Sequence, residues 1–529
     1  MNKDNYITSL RGRSPKQSIF NFRHCEEERR SNPVCCISGL LRAIALAMML
    51  FFSLPSFAQQ DTIRISLEKT IFESNMHSVD ALVAKNEFRT SYWEYRTYKA
   101  VLLPEVLFEG TLPNYSKSYN PFQNTDGSYT YVSNDYGQWD ASISINQNIP
   151  WTGGTLSAKT DLQRLDQFGN NAATQYMLMP VAVTLTQPLF GFNQVKWLQK
   201  IEPVKYKEAK AQLVSQLETV TITAISYYFN LLSNEMNLNI AVQNYQNTER
   251  LYTIAQARRN IGQISENDLM QLKVSCLKAE GYLTEARSSL KASMFRLRSF
   301  LGYGEDVVLI PSIPESLSDF RLSYAKVLEL ATQNSVFTQD IRRRQLEASR
   351  DVSRAKAGQF NINLFLSFGL SGQDNHIPEI FNNLRGHQVV TMGIQVPILD
   401  WGKRKGQVKM AESHREVVQS QIEKDKIDFN QDIFLLVENF NNQSKQLEIA
   451  DETDRIAQKR YETNVEAFTL GKIDVLNLND AQSSKDEARR NYITQMSLLW
   501  LYYYRIRSIT LYDFANNRDL YADYDAIVK

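Results

Sequence analysis

The chain has 529 residues, with 59 lysines and arginines against 58 aspartates and glutamates. Hydrophobic residues make up 43% and charged residues 22% of it, which is typical of folded proteins and excludes a disordered or collagen-like chain. The balanced charge argues against a nucleic-acid partner, which would need a basic surface. Four cysteines in so long a chain do not make a disulfide framework.

The N-terminal region has the features of an export signal. An apolar run over residues 44–54 follows Arg42, and the small-residue site Ser56-Phe57-Ala58 comes next. Positive charge, a short apolar core and small residues form the secretory pattern, so we predict cleavage after Ala58 and interpret residues 1–58 as leader and signal peptide. The run is too short to span a bilayer comfortably. The alternative to a signal peptide is a buried N-terminal helix.

The rest of the chain is predicted to be a duplication. Near the start of each half, Ser66 and Lys69 match Ser323 and Lys326 at a shift of 257 residues. Further along, a shift of 209 residues relates two other sets: Tyr252, Gly262, Leu269 and Ala279 match Tyr461, Gly471, Leu478 and Ala488. The difference, 257 − 209 = 48, means that the first half carries about 48 extra residues.

These shifts divide the chain. We interpret residues 59–310 as the first structural repeat, with an extended β region at about 105–188. Residues 311–512 form the second repeat, and residues 513–529 form a C-terminal tail. Each repeat is much longer than the units of a solenoid, which have about 20–50 residues.

Heptad-like stripes predict long helices in both halves. Apolar residues recur at spacings of three and four: Leu269, Leu272, Cys276, Ala279, Leu283, Ala286 and Leu290. No proline occurs from Val204 to Ile310, so helices of about 45 residues, roughly 70 Å long, are expected. Helices of that length need neighbours along their sides, which predicts coiled-coil packing.

Alternating segments between the helices predict β-strands. Ile362, Leu364, Leu366 and Phe368 alternate with Asn363, Phe365, Ser367 and Gly369. The segments around Ile143, Val183 and Met392 alternate with small or polar residues. Apolar residues on one face and small polar ones on the other fit transmembrane strands, and equally a half-buried soluble sheet. One clear pair in each half gives about four strands, whereas small closed barrels begin at about eight. Several chains would therefore have to share one barrel.

The extra residues of the first half contain two turn signals, Asn124-Thr125-Asp126-Gly127 and Trp151-Thr152-Gly153-Gly154. We expect them in a long outward loop with an added hairpin. The alternative is that they are additional barrel strands.

Together these features resemble the outer-membrane efflux protein (TolC-like) family. The segments 186–190 and 395–402 look like that family's strand-to-helix junction, and Leu103-Pro104 looks like its helix-to-strand junction. The segment 471–481 looks like its inner turn between helices. The order of these motifs, which occurs twice, is specific, although each motif alone is degenerate.

The resemblance implies a mainly α fold with β: an internal αββα-type duplication, coiled-coil helices forming a periplasmic α-barrel, and a transmembrane β-barrel shared by three chains. It implies a homotrimer with 3 × 4 = 12 strands, set in the lipid of the outer membrane and extending into the periplasm. The function would be an exit duct of a tripartite efflux or type I secretion system. A periplasmic adaptor would join the duct to an inner-membrane pump. The competing hypothesis is an exported coiled-coil scaffold without transport activity.

Motif searches favour no enzyme and no cofactor. His77, His376, His387 and His414 show no paired metal-ligand spacing, so no metal site is predicted. No glycine loop of the phosphate-binding type and no Gly-x-Ser-x-Gly element occurs in the sequence.

The resemblance also implies pore and gate residues at the turns between helices. Asp480 and Asn477 match positions that carry acidic rings in the family, so one ring would be neutral here. Asp268 matches an acidic position that helps to hold the closed end. Phe468 stands where the family often has a tyrosine that bonds across the constriction, a bond that phenylalanine cannot make. The alternative for Asp480 is an ordinary acid of a first helical turn, stabilised by the helix dipole.

Overall fold

A computed structural model describes residues 62–169, 172–315, 317, 321–359, 361–396 and 398–529. The predicted signal peptide and its cleavage site lie outside these residues, and that prediction stays untested. None of the described helices is both long and apolar enough to cross a bilayer.

The two halves repeat each other helix by helix. The first half contains helices of 11, 23, 67 and 36 residues: α1 Leu67–His77, α2 Val79–Val101, α3 Gln194–Asn260 and α4 Glu266–Leu301. The second contains helices of 11, 22, 67 and 36 residues: α5 Tyr324–Asn334, α6 Val336–Ala357, α8 Lys403–Thr469 and α9 Val475–Thr510. The starts are displaced by 257 residues for the short helices and by 209 for the long ones. The predicted duplication is confirmed.

Local capping explains where several of these helices begin. A side-chain oxygen accepts the backbone N–H three residues ahead at five starts: Ser66, Ser78, Asn193, Ser265 and Asp474. Helix α4 ends at Gly302 with φ of +77°, a left-handed conformation that glycine adopts without steric cost. The helix boundaries are therefore set by nearby sequence.

The long helices exceed the expected length. Helices α3 and α8 each have 67 residues and extend about 100 Å at 1.5 Å per residue. Helix α3 continues through Pro203, which removes one backbone hydrogen bond. Helices α2, α4, α6 and α9 pack along α3, and in proteins such packing supplies most of the stability of a helix.

The largest apolar core lies where the long helices of both halves meet. It includes Tyr228 and Leu297 from the first half and Phe440 and Tyr503 from the second. Two short parallel strands, β1 Thr62–Ile65 and β6 Val308–Pro311, run against this core and bring Ile65 and Leu309 into it. The core thus joins the repeats into one unit.

One antiparallel sheet of six strands is formed in the order β2-β3-β4-β5-β7-β8. The strands are β2 Glu105–Gln123, β3 Tyr129–Asn148, β4 Thr155–Gln167, β5 Ala173–Pro188, β7 Asn361–Asp374 and β8 Arg385–Gln395. The expectation of about four strands is wrong. The extra residues of the first half add two strands to the sheet, because β2 and β4 alternate too weakly to be recognised singly but pair along their whole length.

The two predicted turns lie at opposite ends of the strands. Asn124–Gly127 joins β2 to β3 at the far end, as expected. The Trp151–Gly154 turn lies instead against the helices, which corrects its placement in an outward loop. Asn148 Nδ2 donates to Val101 O at 3.1 Å, and Asn193 Nδ2 donates to Pro150 O at 2.8 Å.

The sheet has one apolar and one polar face. Paired residues share a face, and the register gathers the apolar side chains on one of them: Val106, Phe108, Ile143, Ile145, Leu156, Leu162, Val183, Leu185, Leu366, Phe368, Val390 and Met392. The polar face carries Glu109, Asp140, Ser142, Ser157, Asp161, Gln163, Thr184 and Ser367. Phe108 is 72% exposed and Val390 is 68% exposed in the single chain. An exposed apolar surface of this kind marks a site of contact with a membrane or with another protein.

The C-terminal residues fold back along the helices. A short hairpin, β9 Tyr512–Asp513 with β10 Arg518–Asp519, is followed by α10 Tyr524–Val528. Helix α10 packs against Phe88 of α2, whose ring lies 5.4 Å from that of Tyr524. The segment interpreted as a tail therefore covers part of the helical body.

Candidate channel gate and membrane face

The helix-to-helix turns at the free ends of the long hairpins have the same structure in both halves. Gly262 and Gly471 have φ of +79° and +72°. The following N–H groups of Gln263 and Lys472 donate to Arg258 O and Ala467 O, both at 2.9 Å. These turns are the positions where the resemblance places the periplasmic gate.

Asp268 makes a local cap in this structure. Its Oδ2 accepts the Ser265 backbone N–H at 3.3 Å and the Ser265 hydroxyl at 2.7 Å, while the Asp268 N–H donates to Ser265 Oγ at 3.1 Å. This reciprocal capping box stabilises the start of α4. At the turns, another residue makes a contact between the two hairpins.

That residue is Arg258, which sequence reasoning missed. Its Nη2 donates to Thr469 O at 3.2 Å, and its guanidinium carbon lies 6.0 Å from the centroid of the Phe468 ring. Phe468 also packs on the small cluster of Tyr461, Leu478 and Ala481. A basic residue in the last turn of α3 was the signal that could have indicated it.

Asp480 is paired within its own chain. Its Oδ2 lies 2.6 Å from Arg460 Nη2 of α8, and both side chains are at least half exposed. Asn477 lies in the first turn of α9, where its N–H donates to Asp474 Oδ1 at 2.9 Å. The Arg460 charge offsets that of Asp480, so any acidic ring here would be weaker than the sequence suggested.

A buried polar cluster lies further along the same hairpins. Lys485 Nζ is 3.1 Å from Asp486 Oδ1 and 4.5 Å from the centroid of the Tyr461 ring. Asn244 Nδ2 of α3 donates to Asp486 Oδ2 at 2.6 Å. Burial raises the pKa of Tyr461. The cluster borders an open cavity of about 790 Å³ between α3, α4 and α9.

A second buried network ties α3 to α9 and the C-terminal hairpin. Arg507 lies 3.0 Å from Glu218 Oε1 and 3.0 Å from Asp513 Oδ2. Burial raises the pKa of Glu218, and the charge of Arg507 only partly opposes this. Burial also acts on Asp513, but hydrogen bonds from Tyr503 and Asn516 and the Arg507 charge outweigh it and lower the Asp513 pKa.

The apolar face of the sheet ends in a row of amphipathic residues. Trp139 on β3, Arg164 on β4 and Tyr176 on β5 lie opposite one another, and Asp374 on β7 completes the row. The Arg164 guanidinium carbon lies 5.2 Å from the Trp139 ring centroid and 5.9 Å from that of Tyr176. Aromatic residues flanking an apolar band are the girdle that transmembrane strands place at the membrane surface.

A paired set of long helical hairpins that carries a sheet with an apolar outer band defines an envelope channel subunit. A sequence profile described as outer membrane efflux protein matches residues 152–303 and 333–499, which is more than half of the chain. The chain belongs to the outer membrane efflux protein family. It is accordingly an outer-membrane efflux channel, located in the cell outer membrane and extending into the periplasm.

Solved structures have the same fold. The outer membrane protein VceC of Vibrio cholerae is 15% identical with a TM-score of 0.59, and the match covers 86% of this chain and 97% of that one. The CmeC outer membrane channel of Campylobacter jejuni is 13% identical with a TM-score of 0.60, covering 87% and 88%. The MtrE outer membrane channel of Neisseria gonorrhoeae is 16% identical with a TM-score of 0.54, covering 86% and 91%. A comparison with curated protein sequences gave no match.

Proposed function

We propose that three copies of this chain assemble into one passive exit duct. The observation that carries this proposal is the six-stranded sheet with two open edges. Strand β2 pairs with β3 alone, and β8 with β7 alone, within the described chain. Six strands are too few to close, whereas 3 × 6 = 18 strands form a barrel that leaves an aqueous channel. This number replaces the 12 strands expected from the sequence.

The two faces of the sheet support this arrangement. Closure of β2 of one copy on β8 of the next would leave no unpaired edge, as the hydrocarbon region requires. The apolar face would then contact lipid, and the polar face with Glu109 and Asp161 would line the channel.

Native mass spectrometry of the detergent-purified protein tests the assembly. We expect about three times the mass of the processed chain, because the 18 strands of three copies form a barrel wide enough to leave an aqueous channel. A stable monomer in detergent-free buffer would contradict the barrel and would favour the scaffold hypothesis.

A passive duct needs other proteins to supply the energy for transport. A periplasmic adaptor would link its helical end to an inner-membrane pump, which would supply the energy, while this chain itself catalyses no reaction. The free ends of the hairpins, at Gly262 and Gly471, are the surfaces available for such a contact.

The gate would be formed at the same ends. Arg258 would hold the two hairpins of one chain together through Thr469 and Phe468. Asp480, with Asn477 in the preceding turn, would face the pore axis, and Arg460 would partly neutralise it. Asp268 would contribute indirectly, by fixing the start of α4 next to the turn.

A further inference from the structure

The loop between β7 and β8 lies at the edge of the apolar face. Asp374 is the last residue of β7 and leads into this loop. It pairs with Tyr176 of β5, and so belongs to the row of residues that also contains Trp139 and Arg164. The side chain of Asp374 is therefore at the level of the aromatic girdle and on the lipid-facing side of the sheet. A short helix, α7 Ile377–Ile380, follows it in the loop.

The loop is held firmly against the sheet. Ile380 is fully buried, and α7 packs on β5 and β7. Gly372 makes this possible, because a Cβ atom at that position would lie 2.7 Å from Ile380 Cγ2. The residue before Ile380, Glu379, is thereby brought back to the end of β7.

Three ligand-type side chains converge at this place. Asp374, His376 and Glu379 each offer one atom, and these atoms all lie within 4.8 Å of one another. His376 Nδ1 is 3.8 Å from Glu379 Oε2. No metal site was predicted here, because the spacing of these residues matches no metal motif and only the fold of the loop brings them together.

Charge also favours a cation here. In the part of the chain that the structure describes, neither Asp374 nor Glu379 is paired with a lysine or arginine. Two carboxylates this close repel each other unless a positive charge lies between them. The His376 imidazole beside them supplies a nitrogen ligand.

We propose that Asp374, His376 and Glu379 bind one divalent transition-metal cation of the Zn²⁺ type at the outer rim of the sheet. One imidazole nitrogen and two carboxylate oxygens are ligands that Zn²⁺ accepts at three positions, with water at the fourth. The bound ion would fasten α7 to the end of β7. This site lies on the sheet, at the opposite end of the molecule from the helix-to-helix turns, and it does not depend on the proposed gate.

Isothermal titration of the intact detergent-purified protein with ZnCl₂ tests the site. We expect saturable binding of one Zn²⁺ per chain, reversed by EDTA, and weak competition by Mg²⁺, because Mg²⁺ prefers an all-oxygen octahedral site. The absence of saturable Zn²⁺ binding would overturn the proposal, and so would competition by Mg²⁺ at equal concentration.

Variants separate this site from other surface histidines. Loss of even an outer-shell partner costs about 10–100-fold in metal affinity, so His376→Ala is expected to weaken binding by at least that much. Glu379→Gln, which keeps the size of the side chain, should also weaken it. His414→Ala on α8 is the matched control, since that exposed histidine lies outside the cluster and should bind as wild type. Equal affinity of wild type and His376→Ala would refute the assignment.

A further variant tests the role of the loop. Gly372→Val touches none of the three ligands, but it should displace Ile380 and with it Glu379. We expect a trimer of unchanged mass with weakened Zn²⁺ binding. Unchanged binding in this variant would show that the loop geometry does not hold the site. The trimer mass of each variant is measured as well. If the trimer forms in every variant, a loss of Zn²⁺ binding reports on this site and not on the assembly of the exit duct.

Discussion

Replacement of Arg507 by alanine tests the network that joins the two halves to the C-terminal hairpin. The guanidinium holds Glu218 and Asp513, whose side chains are 12% and 2% exposed. Removal of one partner of a buried ion pair typically costs about 3–5 kcal/mol, because the remaining charge stays buried without compensation. Asp513 keeps hydrogen bonds from Tyr503 and Asn516, so most of the loss should come from Glu218.

The sign of the pH dependence makes this prediction specific. Without Arg507, the pKa of Glu218, which burial already raises, should rise further in the folded state. The folded protein would then bind more protons than the unfolded chain, so its stability would rise as the pH falls towards about 4. The destabilisation of Arg507→Ala relative to wild type should therefore be smaller at about pH 5 than at about pH 8. In the wild-type protein, the lowered pKa of Asp513 has the opposite effect on stability. Its contribution to the free energy of unfolding is present at neutral pH and is lost as the pH falls.

The measurement is chemical denaturation in detergent followed by far-ultraviolet circular dichroism. Arg505→Ala is the matched control, since Arg505 is exposed on the same helix and its loss should change stability by no more than about 0.5 kcal/mol. Arg507→Lys keeps the charge but not the two-pronged contact, and it should fall between these variants. Equal effects of Arg505→Ala and Arg507→Ala would refute the reasoning, as would a larger Arg507→Ala effect at the lower pH.

Two further predictions concern the gate and the leader. Asp480→Ala should lower cation preference in planar-bilayer conductance at low salt by leaving Arg460 unpaired, whereas Arg460→Ala should raise it by freeing the carboxylate. Both shifts should shrink at 1 M salt, where the Debye length is about 3 Å, and identical ion selectivity in both variants would show that the pair does not face the pore. Mass spectrometry of protein from outer-membrane fractions should find the N-terminus at or near Gln59, as cleavage after Ala58 requires. Intact Met1 in that fraction would contradict the prediction.

Periodicity predicted the long helices of both halves, although not their full length. Heptad spacing depends on neighbours three and four residues away, and caps such as Ser265 and Asp474 act within one turn. The two constant shifts predicted the duplication, since a repeated module keeps its spacing wherever no residues are inserted. The sequence underestimated the length of both α3 and α8, and Pro203 lies inside α3 rather than at its end.

The sheet and the sites depended on contacts between distant residues. Strands β2 and β4 alternate weakly, and only pairing with β3 and β5 shows that the sheet has six strands. The sequence could not show that Arg258 reaches Thr469, that Arg460 pairs with Asp480, or that His376 lies beside Asp374 and Glu379. Local patterns determine which residues form helices and turns, because their causes lie within a few positions along the chain. Tertiary structure alone decided which charged side chains pair and which ligand-type side chains meet. Both depend on which residues the packed helices and paired strands bring within a few ångströms of each other.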